Sequence, residues 1–303
     1  MIEPINLDMQ NSRKVEDSTS KGALPKWNID HKWYKPGKLG YEPLSEFICT
    51  KLLEKSNIAS FCSYSLEYAI YRDRKVLVSV SNDFRDDVDD MIVTVYKILK
   101  LHPNLDKLFA KSRATSDVMR EVIELVESEC ALSGFGEYLT QLLEFDAFIL
   151  NEDRHFNNIT VLRNTAGDYS LCPVFDNGLS LCSDTTDYPL DMPTRKCIEK
   201  VKSKPFSTSF KKQVEVARNL HGTQLKFYFD EKYVDEICEE ALEFYSSAYV
   251  GRVKTILKLQ MKRYPEFFIS RDFDEQDYTE NKDNKIFEAT TSFINVDGRY
   301  DEN

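Results

Sequence analysis

The run Asn151-Glu152-Asp153-Arg154-His155-Phe156-Asn157-Asn158 constrains this chain more than any other. Before it, Glu137 to Leu150 carries apolar residues at helical spacing; after it, Ile159 to Arg163 reads as a strand. Polar groups wedged between two apolar elements need partners, so the run must be packed for a purpose. The strand at Ile159 pairs with a second, Tyr169 to Phe175, across Asn164-Thr165-Ala166-Gly167-Asp168, strong turn chemistry for a hairpin. A turn centred near residue 166 sets the segment around Asn158 opposite residue 174, so Asn158 and Asp176-Asn177-Gly178 emerge at one end. An amide oxygen and a carboxylate can there converge on one hard cation, and Mg²⁺ accepts such ligands alongside nucleotide phosphates and water. Asp153, on the loop above, is placed to orient or deprotonate an attacking hydroxyl. Singly, an Asp-Arg-His turn with an internal ion pair and an Asp-Asn-Gly turn are commonplace. The joint arrangement outweighs both bland readings.

The rest of the 303 residues divides by pattern, and the length suits two domains or one two-lobed domain. Residues 1–17 are expected to form a flexible arm, followed by a loop to Lys26. Trp27 to Lys35 reads as a strand stopped by Pro36-Gly37, and Pro43 opens a helix with Leu44, Phe47, Ile48 and Leu52 on one stripe and Asn57 as a left-handed cap. Cys62 to Ile70 and Lys75 to Val80 read as two further strands. Beyond Asp83 the patterns become helical: 86–101, 115–128, 137–150, 214–220, 234–250 and 251–263. Gly134-Phe135-Gly136 lies between two of these helices and reads as a terminator. The expected class is α+β with two lobes, a small strand-rich N-lobe over 18–82 and a helical C-lobe over 83–268 that holds the hairpin, then an acidic tail over 269–303.

Charge and cysteine usage narrow the setting. Forty basic residues against 51 acidic give −11, and residues 270–303 supply −6 of that from ten acids and four bases. Such a field argues against a nucleic-acid binder that tracks phosphates with Lys and Arg. The seven cysteines form no C-x-x-C pair and sit mostly in apolar runs, which reads as free thiols of a reducing, cytoplasmic compartment. No apolar stretch approaches the roughly 20 residues of a membrane span, and the first 20 residues lack a signal-peptide core.

Asp153 and Asn158 share the five-residue offset of the catalytic Asp and metal-binding Asn of protein kinases. The run Asn151 to Asn158 followed by Val174-Phe175-Asp176-Asn177-Gly178 resembles the catalytic and metal-binding motifs of the HipA-like serine/threonine kinases, whose Asp-Arg-His order phosphoinositide kinases share. Ser18-Thr19-Ser20-Lys21-Gly22-Ala23-Leu24-Pro25-Lys26 is similar to that family's phosphate loop, Lys35 stands where it has its nucleotide-phosphate lysine, and Glu46 follows on the next helix. The resemblance, over roughly residues 18–268, implies a two-lobed kinase fold using ATP and Mg²⁺. It implies Asp153 as catalytic base, Asn158 and Asp176 as metal ligands, Lys35, Gly22 and Lys26 as phosphate contacts, and Glu46 as the partner of Lys35. It also implies autophosphorylation at Ser18, Thr19 or Ser20, where added negative charge would repel ATP phosphates and inhibit. His155 is expected to bond the loop backbone and orient Asp153. Against these stand bland alternatives: a snorkelling surface Lys35, and a Glu46 that merely opposes the helix dipole.

The chain departs from the family in three places. It has about 20 residues where full-length HipA proteins carry a further N-terminal subdomain, Asn157 replaces a basic residue, and the phosphate loop has one glycine, Gly22. It therefore resembles the short members, some completed by a separate small protein and some like cell-translocating kinases. The implied partners are a protein substrate phosphorylated on Ser or Thr and an antitoxin-like or small accessory protein. The implied role is a toxin or an effector delivered into a host cell. The shared Asp-Arg-His order keeps a lipid or small-molecule acceptor open, and a nucleotide-binding pseudokinase is the third reading.

Overall fold

Two tight turns with left-handed residues build the first sheet of the protein. The computed structural model describes residues 4–9, 26–85, 87 and 89–269. Strands β1 (Ile5–Asn6), β2 (Trp27–Ile29) and β3 (Lys32–Pro36) precede helix α1 (Glu42–Glu54), and β4 (Tyr64–Tyr71) and β5 (Arg74–Asn82) follow it. The sheet order is β1-β4-β5-β3-β2, with β1 parallel to β4 and the other pairs antiparallel. Asp30 and His31 (φ 50° and 62°) turn β2 into β3, and Arg72 and Asp73 (φ 53° and 55°) turn β4 into β5. Positive φ at both central residues matches the twist of the flanking strands. The single strand expected over 27–35 is thus a hairpin, its turn made by Asp-His instead of a glycine pair. Leu7, Trp27, Tyr34, Ala69, Val78 and Val80 form a small apolar core on this sheet.

Helix α1 carries the expected stripe of Leu44, Phe47, Ile48 and Leu52, but Ser45, Glu46 and Thr50 are buried as well. The helix ends at Lys55 (φ −110°), and Asn57 is not its left-handed cap. The Asn57 side chain instead donates to the Gln224 carbonyl and accepts from the Lys226 backbone at 2.7 and 2.8 Å.

Over 86–101 the expected long helix is strand β6 (Met91–Thr94) and short helix α2 (Val95–Leu99). Ile92, Val93 and Thr94 are β-branched and pair in a ladder, and Thr94 then caps α2 by accepting from the Lys97 N–H. Helices α3 (Leu105–Leu108), α4 (Thr115–Cys130) and α5 (Phe135–Ile149) lead to the hairpin strands β7 (Thr160–Arg163) and β8 (Tyr169–Leu171). Strands β6, β7 and β8 form one antiparallel sheet in that order. Ala131 (φ 49°), not the Gly134 motif, terminates α4, while Gly134 (φ 78°) opens α5. Helices α6 (Thr194–Lys200), α7 (Phe210–His221), α8 (Glu231–Ala241) and α9 (Ser247–Arg263) complete the described chain. The boundary expected at residue 250 falls at 242–246, and α9 runs through Gly251. All seven cysteines are free and buried, and no described helix is long and apolar enough to cross a membrane.

Several contacts tie the first sheet and α1 to the segment after the hairpin. Gly40 bridges Asp184, Tyr41 Oη donates to the Leu181 carbonyl at 2.7 Å, and Ser45 Oγ to the Ser180 carbonyl at 3.0 Å. Val174 leaves its hairpin partner and exchanges backbone hydrogen bonds with Ser60 and Cys62 at 3.0 and 2.8 Å. This crossing carries Asp176 from the hairpin to α1.

Candidate active site

The polar loop is locked by its own side chains. Leu150 (φ 57°) ends α5 in the left-handed region, which turns the chain sharply into Asn151. Asn151 Nδ2 donates to Asp146 Oδ1 at 2.8 Å and its Oδ1 accepts from the Asp153 N–H at 3.0 Å. Asn158 Nδ2 donates to the Asp153 carbonyl at 2.9 Å, closing the loop over five residues. That bond leaves the Asn158 amide oxygen available to a cation.

Arg154, 1% exposed, organises the centre. Its Nε and Nη2 donate to the Asp146 carboxylate at 2.9 and 3.1 Å. Nη1 donates to the carbonyls of both Asn158 and Phe175 at 3.0 and 2.9 Å, and Nη2 to Asn177 Oδ1 at 2.8 Å. Burial would discharge the guanidinium, but Asp146 more than restores it, so its pKa is raised. One cation thus fixes the spacing between the Asn158 loop and the strand that delivers Asp176.

A second, partly buried cluster meets it. Lys35 on β3 donates to Glu46 Oε1 on α1 and to Asp176 Oδ1, each at 2.7 Å. Glu46 Oε2 accepts from the Asn177 N–H at 3.0 Å. Burial opposes the charge on Lys35, yet Asp176 and Glu46 hold its pKa well above the ordinary lysine value. Burial likewise opposes ionised Asp176, but Lys35, then Lys26 and Arg154, hold its carboxyl well below the usual carboxylate range. Asp176 itself sits at φ 60°. An unspent amide oxygen on Asn158 and a carboxylate kept ionised at Asp176 suit a hard divalent cation.

Lys35, Glu46, Asp153, Asn158 and Asp176 are therefore brought together, and the bland reading of Lys35 as a surface lysine fails on its 12% exposure. Lys26 lies close enough to act electrostatically on Asp176. His155 differs from expectation: among the described residues its ring nitrogens find no hydrogen-bond partner, and Nε2 lies 3.8 Å from Asp153 Oδ2. It is the His155 backbone that bonds within the loop, N–H to the Asp153 carbonyl at 2.8 Å. Ser18, Thr19, Ser20 and Gly22 lie outside the described residues.

Sequence reasoning missed several groups. Arg154 was legible only as a turn residue, and its partner Asp146 sits on the preceding helix among apolar residues. Glu42, 5% exposed, accepts three backbone N–H groups, from Lys38, Leu39 and Gly40 at 2.9, 2.6 and 2.8 Å. Lys204 Nζ lies 3.0 Å from Asp153 Oδ1, with no spacing signal to announce it. Glu152, Asp184 and Asp187 form a carboxylate cluster with ligand atoms within 4.8 Å of one another, and Tyr188 Oη donates to Glu152 at 2.7 Å.

No family model matches the chain, and no curated protein matches it. Among solved structures it is similar to the proinflammatory kinase CtkA of Helicobacter pylori, with a TM-score of 0.57 at 15% identity, covering 86% of this chain and 94% of that one. The complex of Neurospora crassa PAN2 with PAN3, including the PAN3 pseudokinase, gives a TM-score of 0.27 at 13% identity over 98% of this chain and 71% of that one. The strand-rich sheet with α1, the helical portion and the CtkA similarity agree: the chain has a kinase-like α+β fold.

Proposed function

We propose that the chain is an ATP- and Mg²⁺-dependent serine/threonine protein kinase of the HipA-like type, with Asp153 as catalytic base. The observation that carries this reading is the Lys35 contact with both Glu46 and Asp176, beside the loop that bears Asp153 and Asn158. A lysine held charged against burial is suited to phosphate oxygens, and its two carboxylate partners fix where it stands. Asn158 and Asp176 would hold Mg²⁺, which when bound neutralises phosphate charge. Asp153 orients the acceptor hydroxyl and takes its proton as the oxygen–phosphorus bond forms and the bond to ADP breaks. Catalysis is then mainly positioning and charge stabilisation. Residues 18–26 are proposed to contact the phosphates, with autophosphorylation at Ser18, Thr19 or Ser20 as an inhibitory mark.

The test is incubation of the purified chain with Mg²⁺ and γ-labelled ATP, alone and with cell lysate, followed by mass spectrometry. Label on Ser or Thr that vanishes in Asp153→Ala and Asp176→Ala is the expected result. Transfer unchanged in Asp176→Ala refutes the assignment, and label on a lipid vesicle in preference to protein moves the acceptor to a lipid.

A further inference from the structure

Three cations touch the site through described contacts. Every nitrogen of Arg154 has an acceptor, and Lys35 spends two of its three donors on Glu46 and Asp176. Lys204 is different. Its Nζ donates to Asp153 Oδ1 at 3.0 Å, its side chain is 38% exposed, and among the described residues no second acceptor takes the ammonium. An ammonium carries three donors, so two remain unspent beside the candidate base.

The loop that carries Lys204 is anchored on both sides of it. Gln213 on α7 is fully buried, and its side chain serves this loop alone: Nε2 donates to the Lys204 carbonyl at 3.0 Å, and Oε1 accepts from the N–H groups of Phe206 and Ser207 at 3.0 and 3.3 Å. Ser203, also buried, donates through Oγ to the Ser207 carbonyl. Phe206 meets Phe156 of the polar loop edge-on, with ring centroids 5.3 Å apart. Burying an amide is costly unless it is hydrogen-bonded, and the three bonds this buried side chain makes among the described residues all hold one short loop against Asp153.

We propose that Lys204 is a catalytic residue of the phosphoryl transfer, an inference that rests on the kinase reading above, and that Gln213 is the positioning residue that delivers it. One N–H of Lys204 steadies Asp153 as an anion, and the other two bind oxygens of the phosphoryl group in transit, where charge spreads. The acceptor oxygen bonds phosphorus, the bond to ADP breaks, the hydroxyl proton passes to Asp153, and the ammonium keeps its protons.

The experiment compares the full chain with Lys204→Met, Lys204→Arg and Gln213→Leu in transfer kinetics, and in Mg²⁺-supported binding of ADP with and without aluminium fluoride, which mimics the phosphoryl group in transit. In Lys204→Met, kcat is expected to fall about 10²- to 10³-fold, as for loss of one transition-state donor. KM for ATP and the affinity for ADP alone stay near wild type, while the tighter binding conferred by aluminium fluoride is lost. Arg at 204 recovers part of both, and Gln213→Leu shows the same pattern more weakly. An active wild type with unimpaired Lys204→Met, or a loss that falls equally on ADP alone, overturns the role of Lys204 and leaves the kinase reading standing. A wild type that binds ATP and transfers nothing overturns both.

Discussion

Replacing Arg154 by Met tests the internal frame of the site. Arg154 and Asp146 are each 1% exposed, and the guanidinium also serves two carbonyls and Asn177 Oδ1. Removing it leaves Asp146 as a buried charge whose remaining side-chain partner is the Asn151 amide, and breaking such a pair costs about 3–5 kcal/mol. Three acceptors also lose their donor, at about 1 kcal/mol each where water cannot replace it. The expected loss is therefore at least about 4 kcal/mol. Adding Asp146→Asn removes the stranded charge, keeps a side chain for Asn151, and should return about 2 kcal/mol, within the coupling range of contacting residues. Urea unfolding followed by circular dichroism, read as the shift in midpoint at constant slope, gives both numbers. A loss below about 1 kcal/mol for Arg154→Met would refute the ion-pair argument. So would a double variant less stable than the single.

Three further outcomes follow from other contacts. Lys35→Met leaves Glu46 and Asp176 facing each other without their cation, and label transfer from γ-labelled ATP should fall at least about 10²-fold, while Glu46→Gln causes a smaller loss. Asp83 accepts from Arg85, Trp33 and Asn28; burial would raise its carboxyl, but Arg85 and Trp33 bring it below the usual 3.8. A carboxyl lowered in the folded state contributes stability that is complete above the unfolded value and is lost as pH falls toward the folded one. Thermal unfolding between pH 6 and pH 2.5 should therefore show a steeper acid loss in wild type than in Asp83→Asn, and parallel curves would contradict it. Gly40→Ala puts a Cβ onto the Ser183 carbonyl oxygen at the bridge to Asp184, so it should destabilise by about 1–3 kcal/mol in the same urea assay.

The helices over 115–128 and 137–150 and the hairpin were legible because their signals are local: apolar spacing, and a turn whose centre at 166 sets the register Arg163 with Tyr169 and Val161 with Leu171. The helix over 86–101 misled because Ile92 to Leu101 is apolar at helical spacing, while the pairing that makes Met91 to Thr94 a strand comes from β7, about 70 residues on. The Asp-His turn of the first hairpin was missed because left-handed non-glycine residues leave little trace in a sequence. Asp153, Asn158 and Asp176 were singled out from residue types and spacing, whereas Lys35 and Glu46 entered through the family resemblance; what carries Asp176 to Lys35 is the crossing of Val174 onto Ser60 and Cys62, which has no local signal.

The sequence by itself determined the register next to the hairpin turn, since it follows from the turn and the two-residue period of the strands; the expected pairing of the Asn158 segment with residue 174 does not form, because β8 ends at Leu171 and Val174 bonds instead to Ser60 and Cys62. The choice of ionic partners belonged to the tertiary structure. Lys35 and Asp176 are 141 positions apart, Lys204 and Asp153 are 51 apart, and Arg154 reaches back to Asp146 and forward to Asn177. No spacing rule reaches across such intervals. A charge in a low-dielectric interior must find a counter-charge, and the packing of α1, α5 and the 203–207 loop around the hairpin decides which one it meets.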